Sequence, residues 1–210
     1  MKKPDEYPLY KDSKAVWIGN IPNHWEIVKV KHIFFEKKKE HNIKLNCGAI
    51  SFGKVVKKAD DKIPLETKKA YQVIQKGDFL INPLNLNYDL KSLRTALSDL
   101  NVVVSSGYIV LDSKPTINKS YFKWLLHRFD VAYMKTLGSG VRQTINYSDI
   151  GNSLLVEPPI EEQQAIVNSI EENNQKIDKA INLQEQQIRK LREYKESLID
   201  SVVTGKVRVI

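Results

Sequence analysis

The stretch from Leu154 to Val203 reads LLVEPPIEEQQAIVNSIEENNQKIDKAINLQEQQIRKLREYKESLIDSVV, and after Pro159 it has neither glycine nor proline. An apolar run of residues ends at two prolines, and an uninterrupted helical pattern begins after them and extends to the end of the stretch. A helix from Glu161 to Val202 would measure about 60 Å at 1.5 Å per residue. That is longer than a compact domain of this size needs, so the stretch predicts an extended helix.

The helix carries a seven-residue apolar repeat. Eight of its eleven seam positions are apolar over five heptads, which favours a coiled coil. A lone helix cannot bury such a seam, although a long amphipathic helix lying along its own domain is an alternative. Asn174, Gln184 and Lys195 interrupt the seam. The expected dimer interface consists of Val167, Ile170, Ile177, Ile181, Ile188, Leu191 and Leu198.

The charge of the helix differs between its two halves. From Glu161 to Asp178 there are five acids and one base, whereas from Lys179 to Glu196 there are five bases and three acids. Antiparallel pairing of two copies would place the acidic half against the basic half. The charge pattern therefore favours an antiparallel pair.

The remaining charge of the chain is strongly basic. The net charge of the chain is +8. Residues 1–160 contain 25 Lys and Arg against 16 Asp and Glu, whereas residues 161–210 contain 8 Lys and Arg against 9 Asp and Glu. A concentrated positive field suggests a polyanionic partner. No secretory signal and no membrane-spanning stretch is recognisable, and Cys47 is the only cysteine, so we expect a cytoplasmic protein without an internal disulfide.

Short β-branched and aromatic runs precede the long helix. GAIS, YQVI, DFLIN, NVVV and GYIVL are strand candidates, with turns at QKGD and SKPTINKS. Residues 119–134 have a helical period, carried by Phe122, Leu125, Leu126, Phe129 and Tyr133, and Gly138 and Gly140 are expected to end that helix. The sequence predicts a mixed α/β domain over residues 1–157, a long helix over 158–203 and a tail over 204–210.

Four phrases, in this order, resemble the specificity subunit of type I restriction–modification systems. They are YKDSKAVWIGNIPNHWEIVKVKHIF, KAYQVIQKGDFLINP, GSGVRQTINYSDIGNSLLVEPPIEEQQAIV and LREYKESLIDSVVTGKV, which together extend from Tyr10 to Val207. The resemblance implies a target recognition domain followed by a spacer helix. Members of this family typically contain two such units whose helices pair antiparallel, and this sequence corresponds to one unit, either a natural half-subunit or a fragment.

The resemblance also implies the partners. We expect double-stranded DNA, methyltransferase (modification) subunits, a restriction subunit and a second copy of the chain, with no cofactor and no catalytic activity of the chain itself. An alternative is a coiled-coil adaptor whose basic domain binds protein or RNA.

Two loops are rich in the side chains that read base edges, since Arg pairs with guanine and Asn or Gln with adenine. Each candidate could instead be a turn or surface residue. The first loop offers Asn85, Asn87, Tyr88, Lys91 and Arg94, and the second offers Ser139, Arg142, Gln143, Thr144 and Asn146. Lys37 to Lys39 suit phosphate contact or a solvated face rather than base reading.

Enzymatic patterns are weak. INPLN at Ile81 to Asn85 only partly matches the Asn-Pro-Pro-aromatic motif of amino-methyltransferases, because Leu84 replaces the second proline and Asn85 the aromatic residue. A turn at a strand end explains it better. The four histidines show no metal-ligand spacing with Cys47 or with carboxylates, and no phosphate-binding loop occurs.

Overall fold

The structure, a computed structural model, describes residues 6–84, 93–137 and 144–209. The chain divides into two compact units, Met1–Gln164 and Ala165–Ile210. The first is a mixed α/β domain, and the second consists mainly of the long helix. The strands are β1 (Tyr10–Asp12), β2 (Asn20–Pro22), β3 (Glu26–Lys29), β4 (Phe34–Glu36), β5 (Gly48–Ser51), β6 (Lys54–Lys57), β7 (Gln72–Ile74), β8 (Phe79–Ile81), β9 (Thr95–Leu97), β10 (Val102–Val104), β11 (Ile109–Ser113) and β12 (Leu154–Glu157). The α-helices are α1 (Val30–Ile33), α2 (Leu65–Lys69), α3 (Lys119–Ala132), α4 (Tyr147–Gly151) and α5 (Ile160–Val203).

A six-stranded sheet forms the centre of the domain, in the order β4-β11-β8-β9-β6-β5. Its neighbours are antiparallel except β6 and β9, which run parallel. Three smaller antiparallel pairs, β1–β2, β7–β10 and β3–β12, complete the strand pairing of the described residues, beside two isolated bridges, Cys47–Val103 and Leu84–Thr144. Each strand run predicted from the sequence overlaps one of these strands, so the mixed α/β prediction is confirmed.

Strand β8 is buried on both faces, which explains why its sequence is apolar without alternation. Successive side chains of a strand point to opposite sides. Leu80 belongs to a buried cluster with Val102 and Val110, whereas Phe79 makes an edge contact with Phe34 at 5.0 Å between ring centroids. Phe34 in turn contacts Phe122 of α3 at 5.6 Å. The helix therefore packs on the face of β8 opposite to the cluster.

Helix α3 begins at a side-chain cap and ends earlier than the sequence predicted. The Asn118 side chain accepts hydrogen bonds from the backbone N–H groups of Ser120 and Tyr121. The helix ends at Ala132 because Tyr133 leaves helical geometry (φ −138°, ψ −49°), and a 3₁₀ turn follows over Met134–Thr136. The expectation that Gly138 and Gly140 end the helix was thus wrong, and both glycines lie outside the described residues.

The long helix α5 is confirmed as a single element of 44 residues, which is about 66 Å at 1.5 Å per residue. Its first turn is fixed to the domain by Gln163, whose side chain is buried. The Gln163 amide donates to the Pro158 carbonyl at 2.8 Å and accepts from the Asn118 backbone N–H at 3.2 Å. Within the described ranges, no helix is both long and apolar enough to cross a membrane.

Candidate nucleic-acid interface

The first predicted DNA-contacting loop connects strands β8 and β9. The two strands are antiparallel, with Ile81 opposite Thr95, and beyond them the Asn82 N–H donates to the Arg94 carbonyl at 2.7 Å. The base of this connection is therefore a hydrogen-bonded hairpin stem. Four of its candidates, Asn85, Asn87, Tyr88 and Lys91, lie outside the described residues.

The second predicted loop returns to the domain beside the first. Leu84 and Thr144 form an antiparallel bridge, and the Ile145 N–H donates to the Pro83 carbonyl at 3.2 Å. The chain thus enters residues 85–92 and leaves residues 138–143 at adjacent points of the surface. Ser139, Arg142 and Gln143 lie outside the described residues, and Thr144 is exposed at the bridge.

Arg94 has a structural position that the sequence did not suggest. It is only 3% exposed, and its Nε donates to Asp130 Oδ1 at 2.9 Å while its backbone N–H donates to Oδ2 at 2.7 Å. Asp130 on α3 is itself fully buried. A guanidinium in this place holds the stem of the first loop against α3, so the prediction of Arg94 as a surface base reader is corrected.

Asn146 combines exposure with a local structural role. It caps α4 in a reciprocal arrangement, in which its side chain accepts from the backbone of Asp149 and the Asp149 carboxylate accepts from the Asn146 N–H at 2.6 Å. Tyr147 anchors the same helix by donating its hydroxyl to the Phe34 carbonyl at 2.7 Å. Asn146 therefore has a structural role as a helix cap, and the residue is exposed.

A polar groove of about 510 Å³ lies next to these stems. Lys39 stands at one side, where its Nζ donates to the Ser106 carbonyl at 2.9 Å. Amide and hydroxyl groups line the groove together with one ammonium, of Lys39, and one carboxylate, of Glu36, so its walls are polar without a net charge. Its lining residues are Glu36, Lys39, Pro83, Ser106, Gly107, Tyr108, Ile109, Thr144, Ile145, Asn146, Tyr147 and Ser148.

The three lysines of Lys37–Lys39 do not share one environment. Lys37 is partly buried, and its Nζ lies 2.8 Å from Asp78 Oδ2 in an ion pair. Lys38 is exposed. Lys37 thus stabilises the β7–β8 connection, while Lys38 and Lys39 are placed at the surface where phosphate contact is feasible.

A cluster of hydrogen-bonded side chains surrounds Glu162 in the first turn of α5 and was not predicted from the sequence. Glu162 Oε2 accepts from the Tyr7 hydroxyl at 2.8 Å and from Trp25 Nε1 at 2.9 Å, and Oε1 lies 2.5 Å from His24 Nε2. Burial acts to raise the pKa of Glu162, but the hydrogen bonds from Trp25, His24 and Tyr7 outweigh it and hold that pKa below its usual value of 4.5. No local motif could reveal this cluster, because its partners are more than 130 residues away in the sequence.

The predicted seam of α5 is uncovered over most of its length in the described residues. Val167 is buried and Ile170 half-buried, but from Ile177 onward the apolar seam residues are widely exposed. The exposed fractions are 55% for Ile177, 49% for Ile181, 47% for Ile188, 67% for Leu191 and 46% for Leu198.

The described part of the chain shows no arrangement of side chains typical of a catalytic or metal-binding site. Asn82 Oδ1 accepts from the Leu84 N–H at 3.1 Å, so residues 82–84 turn at the end of β8. Burial raises the pKa of the Cys47 thiol, and the Cys47 N–H donates to Asp60 at 2.7 Å. No group of three or more metal-ligating side chains occurs among the residues that could be searched.

Comparison with known proteins identifies the class. The family model described as the type I restriction modification DNA specificity domain matches residues 22–193. A putative type I restriction enzyme MjaX specificity subunit from Methanocaldococcus jannaschii is 23% identical over 219 residues, covering 95% of this chain and 47% of that protein. Because the match spans most of the sequence, this chain belongs to the family of type I restriction modification DNA specificity domains.

Two solved structures share the fold. A chain from a study of complex assembly and conformational transition of the type I R-M system has a TM-score of 0.61 at 17% identity, covering 88% of this chain and 47% of that one. The HsdS subunit from Thermoanaerobacter tengcongensis has a TM-score of 0.55 at 17% identity, covering 89% and 46%. The chain spans about half the length of the relatives it matches. Specificity subunits of this class are non-catalytic.

Proposed function

We propose that this chain is a sequence-reading unit of a type I restriction–modification system. It binds duplex DNA through the loops that leave the domain at Leu84 and Leu137, and it directs modification and restriction subunits to the bound site in the cytoplasm. The observation that carries the proposal is the bridge between Leu84 and Thr144, which brings the two sequence-selected loops to one place on the surface.

The chemistry of the loops supports reading of the major groove. Arg142 can donate two hydrogen bonds to guanine, and Asn87 or Gln143 can pair with adenine through an amide that both donates and accepts. A single side chain contacts one or two bases, whereas the side chains of two adjoining loops can contact several successive base pairs. Lys38 and Lys39 would neutralise phosphates without regard to sequence.

Pairing of two copies through α5 is the second part of the proposal. The exposed seam of Ile177, Ile181 and Ile188 has the seven-residue period of a coiled coil, and apolar residues at that spacing are stabilised by a facing helix. The acidic first half and basic second half favour an antiparallel partner with the same sequence. A second copy satisfies both requirements.

The proposed pairing determines the form of the DNA site. Two identical readers related by a two-fold axis contact the same half-site on opposite strands. The target is then an interrupted inverted repeat, whose unread spacer depends on the distance that the paired helices set between the readers. Methyltransferase and restriction subunits would assemble on this dimer.

Competition binding tests the proposal directly. The protein, assembled with its methyltransferase subunit, is titrated with a labelled target duplex in the presence of either unlabelled target or a scrambled duplex of equal length. We expect the target to compete at least a hundredfold better, since specific sites exceed non-specific ones by about 10³ to 10⁷. Equal competition by the two duplexes would favour the adaptor alternative.

A further inference from the structure

The hairpin that joins β5 and β6 presents a phenylalanine where the backbone disfavours one. Ser51 pairs with Lys54, so Phe52 and Gly53 form a two-residue turn, with φ values of +46° and +73°. Such turns favour Asn or Gly at the first of these positions, because a positive φ strains other L-residues. Phe52 is also 80% exposed, so its ring gains little from packing. A strained and exposed aromatic side chain points to a contact made outside the domain.

The surroundings of Phe52 are basic and aromatic. Two neighbouring clefts, of about 150 and 360 Å³, share Gly53, Lys54 and Lys123 on their walls. Lys76 and Asp99 line the larger cleft, and Asp99 is the one acidic residue lining either. Lysines thus dominate the charge beside the turn. We call Phe52, Lys54, Lys76, Lys123 and Trp124 the Phe52 surface.

Two members of this surface, Lys123 and Trp124, contact each other. Lys123 Nζ lies 5.0 Å from the centroid of the Trp124 ring, within the range of a cation–π contact. His127 lines the same cleft, where burial lowers its pKa; Asp130 acts in the opposite direction, and Lys123 adds a smaller lowering effect. The positive charge at this cleft therefore comes from lysine rather than histidine near neutral pH.

The Phe52 surface adjoins the stem of the first proposed reading loop. Leu93, at the end of that loop, lines the same cleft as Phe52 and Trp124. The approach is close, because a Cβ added to Gly53 would lie 2.9 Å from Leu93 Cδ1. A ligand on the first loop would therefore pass near the hairpin tip.

We infer that the Phe52 surface is a second DNA contact, in which Lys54, Lys76 and Lys123 neutralise backbone phosphates and the Phe52 ring lies against a sugar or base step flanking the bases read by the loops. This inference rests on the proposed function. Duplex DNA suits the surface because it offers regularly spaced phosphates beside apolar sugar and base faces. Leu93 places the Phe52 surface beside the first proposed reading loop. Because that loop is itself proposed to bind DNA, we infer DNA rather than an acidic protein as the ligand of the Phe52 surface.

The substitution Phe52→Asn tests the inference because its two effects have opposite signs. Asn tolerates positive φ, so the melting temperature should stay equal or rise, while affinity for the target duplex should fall about tenfold. Leu65→Asn is the control, since Leu65 is also exposed and lines neither cleft. A lower melting temperature with unchanged affinity would overturn the inference and indicate a packing role.

The lysines provide a second and independent measurement. The double substitution Lys54→Ala and Lys123→Ala should reduce the slope of log K against log salt by about two, for target and scrambled duplex alike, since each phosphate contact contributes about 0.9. Lys11→Ala with Lys29→Ala removes the same charge elsewhere and should change the slope less. An equal change in the two double variants would contradict a local contact.

The outcomes also separate this inference from the proposed function. If the target duplex is preferred over scrambled duplex but Phe52→Asn binds it normally, the reading function stands and the Phe52 contact is refuted. If Phe52→Asn binds DNA normally but loses the methyltransferase subunit, the surface binds protein instead. If the unsubstituted assembly has no preference between duplexes, the proposed function itself is refuted.

Discussion

Leu84 pairs with Thr144 across an antiparallel bridge, although sixty positions separate the two residues in the sequence. The bridge places the entry of one base-reading candidate loop beside the exit of the other. Asp130 adds a second constraint, because it binds both the backbone and the side chain of Arg94 at the other end of the first loop. The bridge therefore places one end of each proposed reading loop at the same point of the domain, and Asp130 fixes the other end of the first loop.

We expect Arg142→Ala to weaken binding of the target duplex by about 1–3 kcal/mol, since a bidentate contact to guanine is lost. Specificity should relax at one base position, while binding to scrambled duplex changes little. Lys38→Ala is the control and should weaken both duplexes alike. Competition binding with both duplexes measures the difference, and an equal loss for Arg142→Ala on both would refute its role in base reading.

We expect Asp130→Ala to lower the free energy of unfolding by about 3–5 kcal/mol, because it leaves the buried Arg94 guanidinium without its counterion. Thermal or urea unfolding measures this loss. Glu66→Ala removes the exposed pair with Lys69 and should change stability by less than about 1 kcal/mol. A similar small effect for Asp130→Ala would mean that Arg94 does not depend on Asp130.

We expect the double substitution Ile181→Asp and Ile188→Asp to convert dimers into monomers, because it would place charges without partners in the paired seam. Asn182→Asp with Gln186→Asp adds the same charge outside the seam and should remain dimeric. Sedimentation velocity at micromolar concentration distinguishes the two states. A monomeric unsubstituted protein would count against pairing through α5.

We expect the stability difference between the unsubstituted protein and Glu162→Gln to depend on pH. The lowered pKa of Glu162 means that its carboxylate stabilises the folded domain above about pH 4.5 and loses this effect as the pH falls through the folded-state pKa. Glu162→Gln should therefore be less stable near pH 6, with the difference shrinking below pH 4.5. Urea unfolding at several pH values measures it, and a difference independent of pH would exclude the carboxylate as the cause.

Local pattern was sufficient to predict five of the twelve strands in the described residues, helix α3 and helix α5. The strands around Leu80 and Val103 and the helix through Phe122 were predictable because apolar periodicity and turn residues act over a few positions. The length of α5 followed from the absence of glycine and proline after Pro159. The early end of α3 at Ala132 was not predictable in this way, because no helix-breaking residue stands there.

Long-range pairing limited the prediction of the site. Composition selected two loops rich in Asn, Gln and Arg, but nothing in the sequence indicated that Leu84 would meet Thr144 or that Arg94 would be buried against Asp130. The Glu162 cluster was invisible for the same reason, since its partners are distant in the sequence. The positive φ of Phe52 belongs to a local two-residue turn, and it was missed because phenylalanine is not a residue that such a turn favours.

The central claim is that two copies of this chain read one DNA site across paired helices. Mapping modified adenines in cells that contain this chain as the sole specificity unit, with its methyltransferase subunit, tests it most directly. Deleting one heptad, residues 181–187, preserves the seam and shortens α5 by about 10 Å, so the unread spacer should contract by roughly three base pairs. The account predicts an interrupted inverted repeat in the unsubstituted strain and the same half-sites closer together in the deletion strain. An asymmetric site, or a spacer unchanged by the deletion, would contradict it.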